Sequence, residues 1–151
     1  VVSLGAEFVT AAAALAKEKD IPLIIDEVQT GNGRTGKLYG YMHFGIEPDI
    51  VSTAKGLGGG LPIGATLMSE KVQYVLGPGD HGSTYGGNPV CCAGAVSVIE
   101  RLDEAFLSNV RELSDYVFSS FDGAAGVPSS ASGECHWCNC RLWIYVCKSN
   151  Y

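Results

Sequence analysis

Charge is scarce in this chain, and positive charge scarcest. Charged residues make up 17% of its 151 positions, with ten Lys+Arg against sixteen Asp+Glu and a formal net charge of -6. A nucleic-acid-binding surface needs a basic patch to displace phosphate counterions, and the sequence offers none. Long apolar runs are lacking too. No stretch approaches the roughly 20 residues of a membrane span, and no charged segment leads into the apolar core of a secretory leader. Internal repeats are absent. Hydrophobic residues at 46% exclude a disordered tail or a charge-rich coiled coil. The length suits one domain with its own core and is too short for a two-domain enzyme. Six cysteines could suggest a secreted disulfide scaffold, but the aliphatic runs and Gly-rich turns argue for a reducing compartment, so a soluble, cytoplasmic protein is expected. The first residues are Val1-Val2 rather than Met, and the chain is read as an internal fragment.

The pattern of what remains is α/β. Phe8, Ala11, Ala12, Leu15 and Ala16 recur at helical spacing within a predicted helix over Glu7–Lys19. Ile21-Pro22-Leu23-Ile24-Ile25 is a short unbroken apolar run, the pattern of a strand covered on both faces, and it stops at Asp26-Glu27. Glycines at 31, 33, 36, 40 and 45 punctuate a loop. Strands are predicted at Pro48–Thr53 and Ile63–Met68. Asn88-Pro89 reads as N-cap and first turn of a helix running to Leu102, and Phe106, Val110, Leu113, Val117 and Phe121 mark another. Helices alternating with buried strands predict a mainly parallel sheet flanked by helices.

In open α/β sheets ligands lie at the carboxyl ends of strands. Asp26, Gln29 and Lys55 fall there. Each alone is open to a plainer reading: Lys55 as a solvated loop residue, Asp26 as a turn acid. The glycines after Lys55 do not form a P-loop, because the Gly-x4-Gly-Lys-Ser/Thr order is missing. His43 and His81 read as loop hydrogen-bonders, Cys91 and Cys92 as packed small residues. Arg34 could bind an anion but is left out of the site.

Three strings in order are far more specific. Ile24-Ile25-Asp26-Glu27-Val28-Gln29-Thr30-Gly31 with Gly33-Arg34-Thr35-Gly36 resembles the aspartate motif of the class III aminotransferases, fold type I enzymes that use pyridoxal 5'-phosphate (PLP). Pro48-Asp49-Ile50 and Ala54-Lys55-Gly56-Leu57-Gly58-Gly59-Gly60 resemble that family's lysine segment, and His81-Gly82-Ser83-Thr84-Tyr85-Gly86-Gly87-Asn88-Pro89 its phosphate loop. The resemblance covers about Glu7 to Gly126 and is strongest to the acetylornithine branch; succinylornithine transaminases share these motifs.

The resemblance implies that residues 1–122 are part of the PLP-binding large domain. It implies that Lys55 carries the cofactor as a Schiff base and moves the proton between substrate carbon and cofactor. Asp26 would contact the pyridinium nitrogen and keep the ring an electron sink. Val28 would pack on a ring face, Gln29 would bond near the ring hydroxyl, and Glu27 counts among the cofactor-binding residues. Thr84 would hold the cofactor phosphate across a homodimer interface, with Ser83 beside the substrate. The implied substrates are N-acetylornithine and 2-oxoglutarate, with glutamate as product, and neither nucleic acid nor membrane is a partner.

After Ser132-Gly133 the resemblance stops, and residues 123–151 read as a Cys/Trp-rich tail without period, not a domain. A reading-frame shift near Gly133 is the expected cause. The competing reading is a zinc site on Cys135, His136, Cys138, Cys140 and Cys147, disfavoured because only one ligand pair has zinc spacing; no metal is expected. The alternative to an active enzyme is a non-catalytic remnant that binds PLP weakly.

Overall fold

The computed structural model describes residues 4–122 and 143–146, with side-chain surroundings given for residues 4–120. Its elements are α1 (Ala6–Glu18), β1 (Leu23–Asp26), β2 (Ile50–Thr53), β3 (Ala65–Met68), α2 (Pro89–Ile99), α3 (Glu104–Asp122) and β4 (Trp143–Val146), with 3-10 turns at Gly40–His43 and Lys55–Gly58. The sheet order is β3-β2-β1-β4. β1 and β2 run parallel, with Asp26 level with Ser52. β3 is antiparallel to β2, and β4 antiparallel to β1. The α/β architecture matches the sequence pattern. The sheet expected to be mainly parallel is mixed: β3 returns directly from β2 with no crossover helix between them, and such a short return is open only to an antiparallel neighbour.

The parallel pair is continued beyond its strands. Asp49 N–H donates to the Leu23 carbonyl (2.9 Å) and Glu27 N–H to the Ser52 carbonyl (2.8 Å). The ends of β1 and β2 that carry Asp26 and Thr53 are thereby locked side by side. The core lies between α1 and β1: Val9, Ala16, Leu23 and Ile25 are buried together, with Ala13, Tyr41, Phe44 and Ile46 packed against them. The face of α1 differs from the one read in the sequence. Phe8 is 58% and Leu15 54% exposed, and Val9 with Ala16 faces inward. The Ala-rich helix is apolar almost all round, so its periodicity did not single out one stripe.

Two later helices seat the loops around β1 and β2. The Asn88 side chain caps α2 by accepting from Val90 N–H (3.0 Å) and Cys91 N–H (3.2 Å), with Pro89 in the first turn, as the sequence predicted. α2 lies on the turn that follows Lys55. A Cβ at Gly94 would stand 2.5 Å from Leu61 Cδ1, so the absence of a side chain lets the helix approach that turn. Asp103 caps α3, its carboxylate accepting from Phe106 N–H at 2.8 Å. Buried Leu107 of α3 closes over Gly33, and the Arg111 guanidinium donates to the Gly36 carbonyl.

β4 lies inside the stretch read as having no period. The break proposed at Gly133 and the Cys135–Cys140 cluster fall outside the described residues.

Candidate active site

β1 ends at Asp26, and the chain immediately turns. The Val28 N–H donates to Asp26 Oδ1 (2.9 Å), an Asx turn that fixes the half-buried carboxylate at the strand end. Accepting that bond leaves a carboxylate further acceptor capacity. The next residue goes the opposite way, as alternation along a strand dictates. Glu27 is fully buried, and both carboxylate oxygens are used. Oε1 accepts from Tyr41 N–H (2.7 Å), while Oε2 accepts from Gly40 N–H (3.0 Å) and from the Thr30 hydroxyl. The cofactor contact expected of Glu27 is therefore replaced by a structural one: its side chain pins the Gly40–His43 turn to the end of β1. Gly31 is packed into the same corner, where a Cβ would stand 2.8 Å from the Glu27 carbonyl and 2.9 Å from the Tyr39 ring.

Lys55 follows β2 by two residues, in a left-handed backbone conformation at φ 47°. Its exposed amine donates to Gln29 Oε1 at 2.6 Å. Lys55, Val28 and Gln29 line one cavity of about 140 Å³ with Gly31, Asn32, Arg34 and Gly56. Three of the expected residues are thus brought together; Asp26, at the end of β1, does not line this cavity. Arg34, left out on sequence grounds, lines this cavity too.

Asn32 was not singled out at all. Its Nδ2 donates to Thr53 Oγ1 (3.0 Å) and to the Ala54 carbonyl (3.1 Å). The signal that could have found it is the Gly31-Asn32-Gly33 string, since asparagine between glycines marks a left-handed turn. Thr53, 2% exposed, also hydrogen-bonds the Tyr39 phenol. Burial raises the Tyr39 pKa above its ordinary value, outweighing the Thr53 bond that lowers it, with the nearby Glu27 charge adding to the rise.

The third motif sits elsewhere. Ser83 and Thr84 are exposed, and Ser83 lines a separate cavity of about 670 Å³ with His81, Asn88, Thr53 and Met68. Thr84 lines neither cavity. Cys91 is buried and Cys92 half-buried, both as free thiols, as expected of packed residues. Among the described residues no cluster of His, Cys, Asp or Glu could hold a metal ion, and no helix is long and apolar enough to cross a membrane.

Comparison with known proteins gives this geometry a context. The acetylornithine aminotransferase of Aquifex aeolicus is 51% identical over 110 residues, covering 73% of this chain and 29% of that protein. That of Haemophilus ducreyi is 54% identical over 110 residues, covering 73% and 28%. Among solved structures, an S-selective transaminase from Arthrobacter sp. superimposes with a TM-score of 0.72 at 34% identity, over 78% of this chain and 26% of that one. The ornithine delta-aminotransferase of Plasmodium falciparum gives 0.64 at 42% identity, over 72% and 27%. The chain spans under a third of the length of these relatives. The family model for class-III aminotransferases matches residues 1–125, and the chain belongs to that family.

Proposed function

We propose that residues 1–122 form the lysine-bearing part of the large domain of a PLP-dependent aminotransferase, which moves the terminal amino group of N-acetylornithine to 2-oxoglutarate and yields glutamate. The observation that carries this reading is the exposed Lys55 amine, held on Gln29 in a cavity at the C-terminal ends of β1 and β2. The chain around it is about half identical to acetylornithine aminotransferases.

The residues fit the cofactor. Lys55 offers a reachable primary amine and Val28 an apolar surface on the cavity wall, and the Asp26 carboxylate, held by the Val28 N–H at the strand end, keeps acceptor capacity for a further N–H. PLP, when bound, supplies an electron sink for a substrate carbon that loses its proton. Asp26 holds the proton on the ring nitrogen, since a carboxylate beside an N–H favours the charged form. Gln29 orients the Lys55 amine, and Lys55 takes and returns the proton at the substrate carbon. Thr84 and Ser83 face outward, which suits a homodimer in which Thr84 contacts the cofactor phosphate in the other subunit and Ser83 borders the substrate. Arginine biosynthesis in the cytoplasm is the setting such chemistry serves.

Borohydride reduction of the PLP-loaded complete protein, followed by peptide mapping, tests the assignment. The adduct is expected on Lys55; an adduct on Lys37 or Lys71 with Lys55 unmodified rejects it. Asp26→Asn is expected to retain the adduct and raise the proton-transfer barrier by several kcal/mol, about a hundredfold or more in rate. The 151-residue chain alone is expected to form no glutamate from N-acetylornithine and 2-oxoglutarate; formation that vanishes in Lys55→Ala would show the chain to be catalytically sufficient.

A further inference from the structure

Three non-glycine residues among those described have positive φ: Asp20, Asn32 and Lys55. Two of them meet. Asn32 (φ 56°) reaches from the loop after β1 to the turn after β2, where Lys55 (φ 47°) begins the 3-10 segment. Its amide nitrogen takes both the Thr53 hydroxyl and the Ala54 carbonyl, the two acceptors that directly precede Lys55. A carbonyl can only accept, so the nitrogen end of the amide must face this way. On the far side of the lysine, a Cβ at Gly56 would stand 3.3 Å from Asn32 Cβ. Asn32 therefore bonds the two residues before Lys55 and lies where a side chain on the residue after it would meet it.

The fit carries a cost. Asn32 Oδ1 is buried with no hydrogen-bond partner among the described residues, and an unmet buried acceptor is unfavourable. Glycine would meet the backbone demand of φ 56° without that cost. The side chain is thus explained by what its nitrogen end holds. We propose that Asn32 is a positioning residue for Lys55: it fixes the left-handed turn from which the lysine reaches Gln29 and the cavity. The inference rests on the proposed role of Lys55 as the cofactor lysine.

The test labels the full chain with PLP and cyanoborohydride and measures the adduct at each lysine over time. Condensation of the amine with the aldehyde loses water, and hydride from the reagent reduces the C=N bond to a stable secondary amine. Asn32→Gly keeps the backbone conformation and removes the donor; Asn32→Asp keeps the shape and puts a carboxylate oxygen against the Ala54 carbonyl. In both, the limiting labelling rate at Lys55 is expected to fall about tenfold, the effect of roughly one lost hydrogen bond, with the half-saturating PLP concentration unchanged. Lys37 is the internal reference, because its amine donates to the Met42 carbonyl within the loop that Asn32 belongs to. Its labelling is expected to stay constant. Thr53→Val, which removes one of the two acceptors, is expected to give about a threefold fall and serves if the Asn32 variants do not fold.

A Lys55 rate within about twofold of the parent in every folded variant overturns the inference. So does a rise in Lys37 labelling that matches the Lys55 loss, which would mean that the loop as a whole has loosened. A parent chain that labels Lys55 no faster than Lys17 removes the lysine assignment itself, and the inference with it.

Discussion

Residues 23–58, with β1 and β2, and residues 61–90, with β3, both combine short strands with glycine-rich turns, and both carry family motifs. In the first stretch Ile25, Glu27, Thr30 and Thr53 are buried almost completely, and the polar ones among them bond to neighbouring loops. In the second, Val72 is the single buried residue, β3 is exposed along its length, and Tyr74 and Tyr85 are 87% and 84% exposed. The aspartate and lysine motifs are therefore assembled by this chain's own contacts. The phosphate-loop motif is only displayed by them. The same kind of sequence signal thus marks two physically different things, an internal lattice of hydrogen bonds and an exposed loop.

The strongest attack on the comparison is Glu27→Ala. It strands the Gly40 and Tyr41 N–H groups and the Thr30 hydroxyl in a buried corner, and about 3 to 5 kcal/mol of stability should go. Urea unfolding measures it; a loss under about 1 kcal/mol would mean that the corner is not rigid. Gly31→Ala comes next at about 1 to 3 kcal/mol, because the new methyl meets backbone at 2.8 Å. Its counterpart in the other region is Gly82→Ala, where nothing lies within 4 Å and φ is ordinary.

Tyr39 gives a smaller, pH-dependent effect. Its folded pKa lies above the reference value of 10.0, so its contribution is present below pH 10 and is lost as pH rises through the folded value. Tyr39→Phe should flatten the alkaline fall in the thermal midpoint while lowering stability by about 1 kcal/mol near neutrality through the lost Thr53 bond. Smallest of all, Gly82→Ala and Tyr85→Ser should each change stability by about 0.5 kcal/mol or less. If either matched Gly31→Ala, the contrast between the regions would be broken.

The sequence made legible what strand ends and spacing control. Asp26, Gln29 and Lys55 fall where two short strands stop at defined residues, Val28 came only with the family resemblance, and the Asn88 cap follows from Asn-Pro. Adjacency to Asp26 put Glu27 in the expected cofactor set, whereas its buried carboxylate is taken up by Thr30, Gly40 and Tyr41. Asn32 was legible only as a turn residue, through the glycines on either side of it. Its partners, Thr53 and Ala54, lie more than twenty positions away, and no local period reports a contact between two loops. β4, four residues long like the other strands, was missed because the Cys/Trp-rich stretch around it carries neither a period nor the family's motifs.

The Arg111 clamp on Gly36 spans 75 positions. It has a consequence for the order of events during synthesis. All residues of the first two motifs are synthesised by Gly60, yet α2, which seats the lysine turn, and α3, which grips the loop, are made afterwards. Contacts so distant along the chain form late and slow the search for the native arrangement. The nascent chain therefore carries its lysine before the helices that seat the surrounding loops exist, and Arg111 can clamp Gly36 only once α3 has been made.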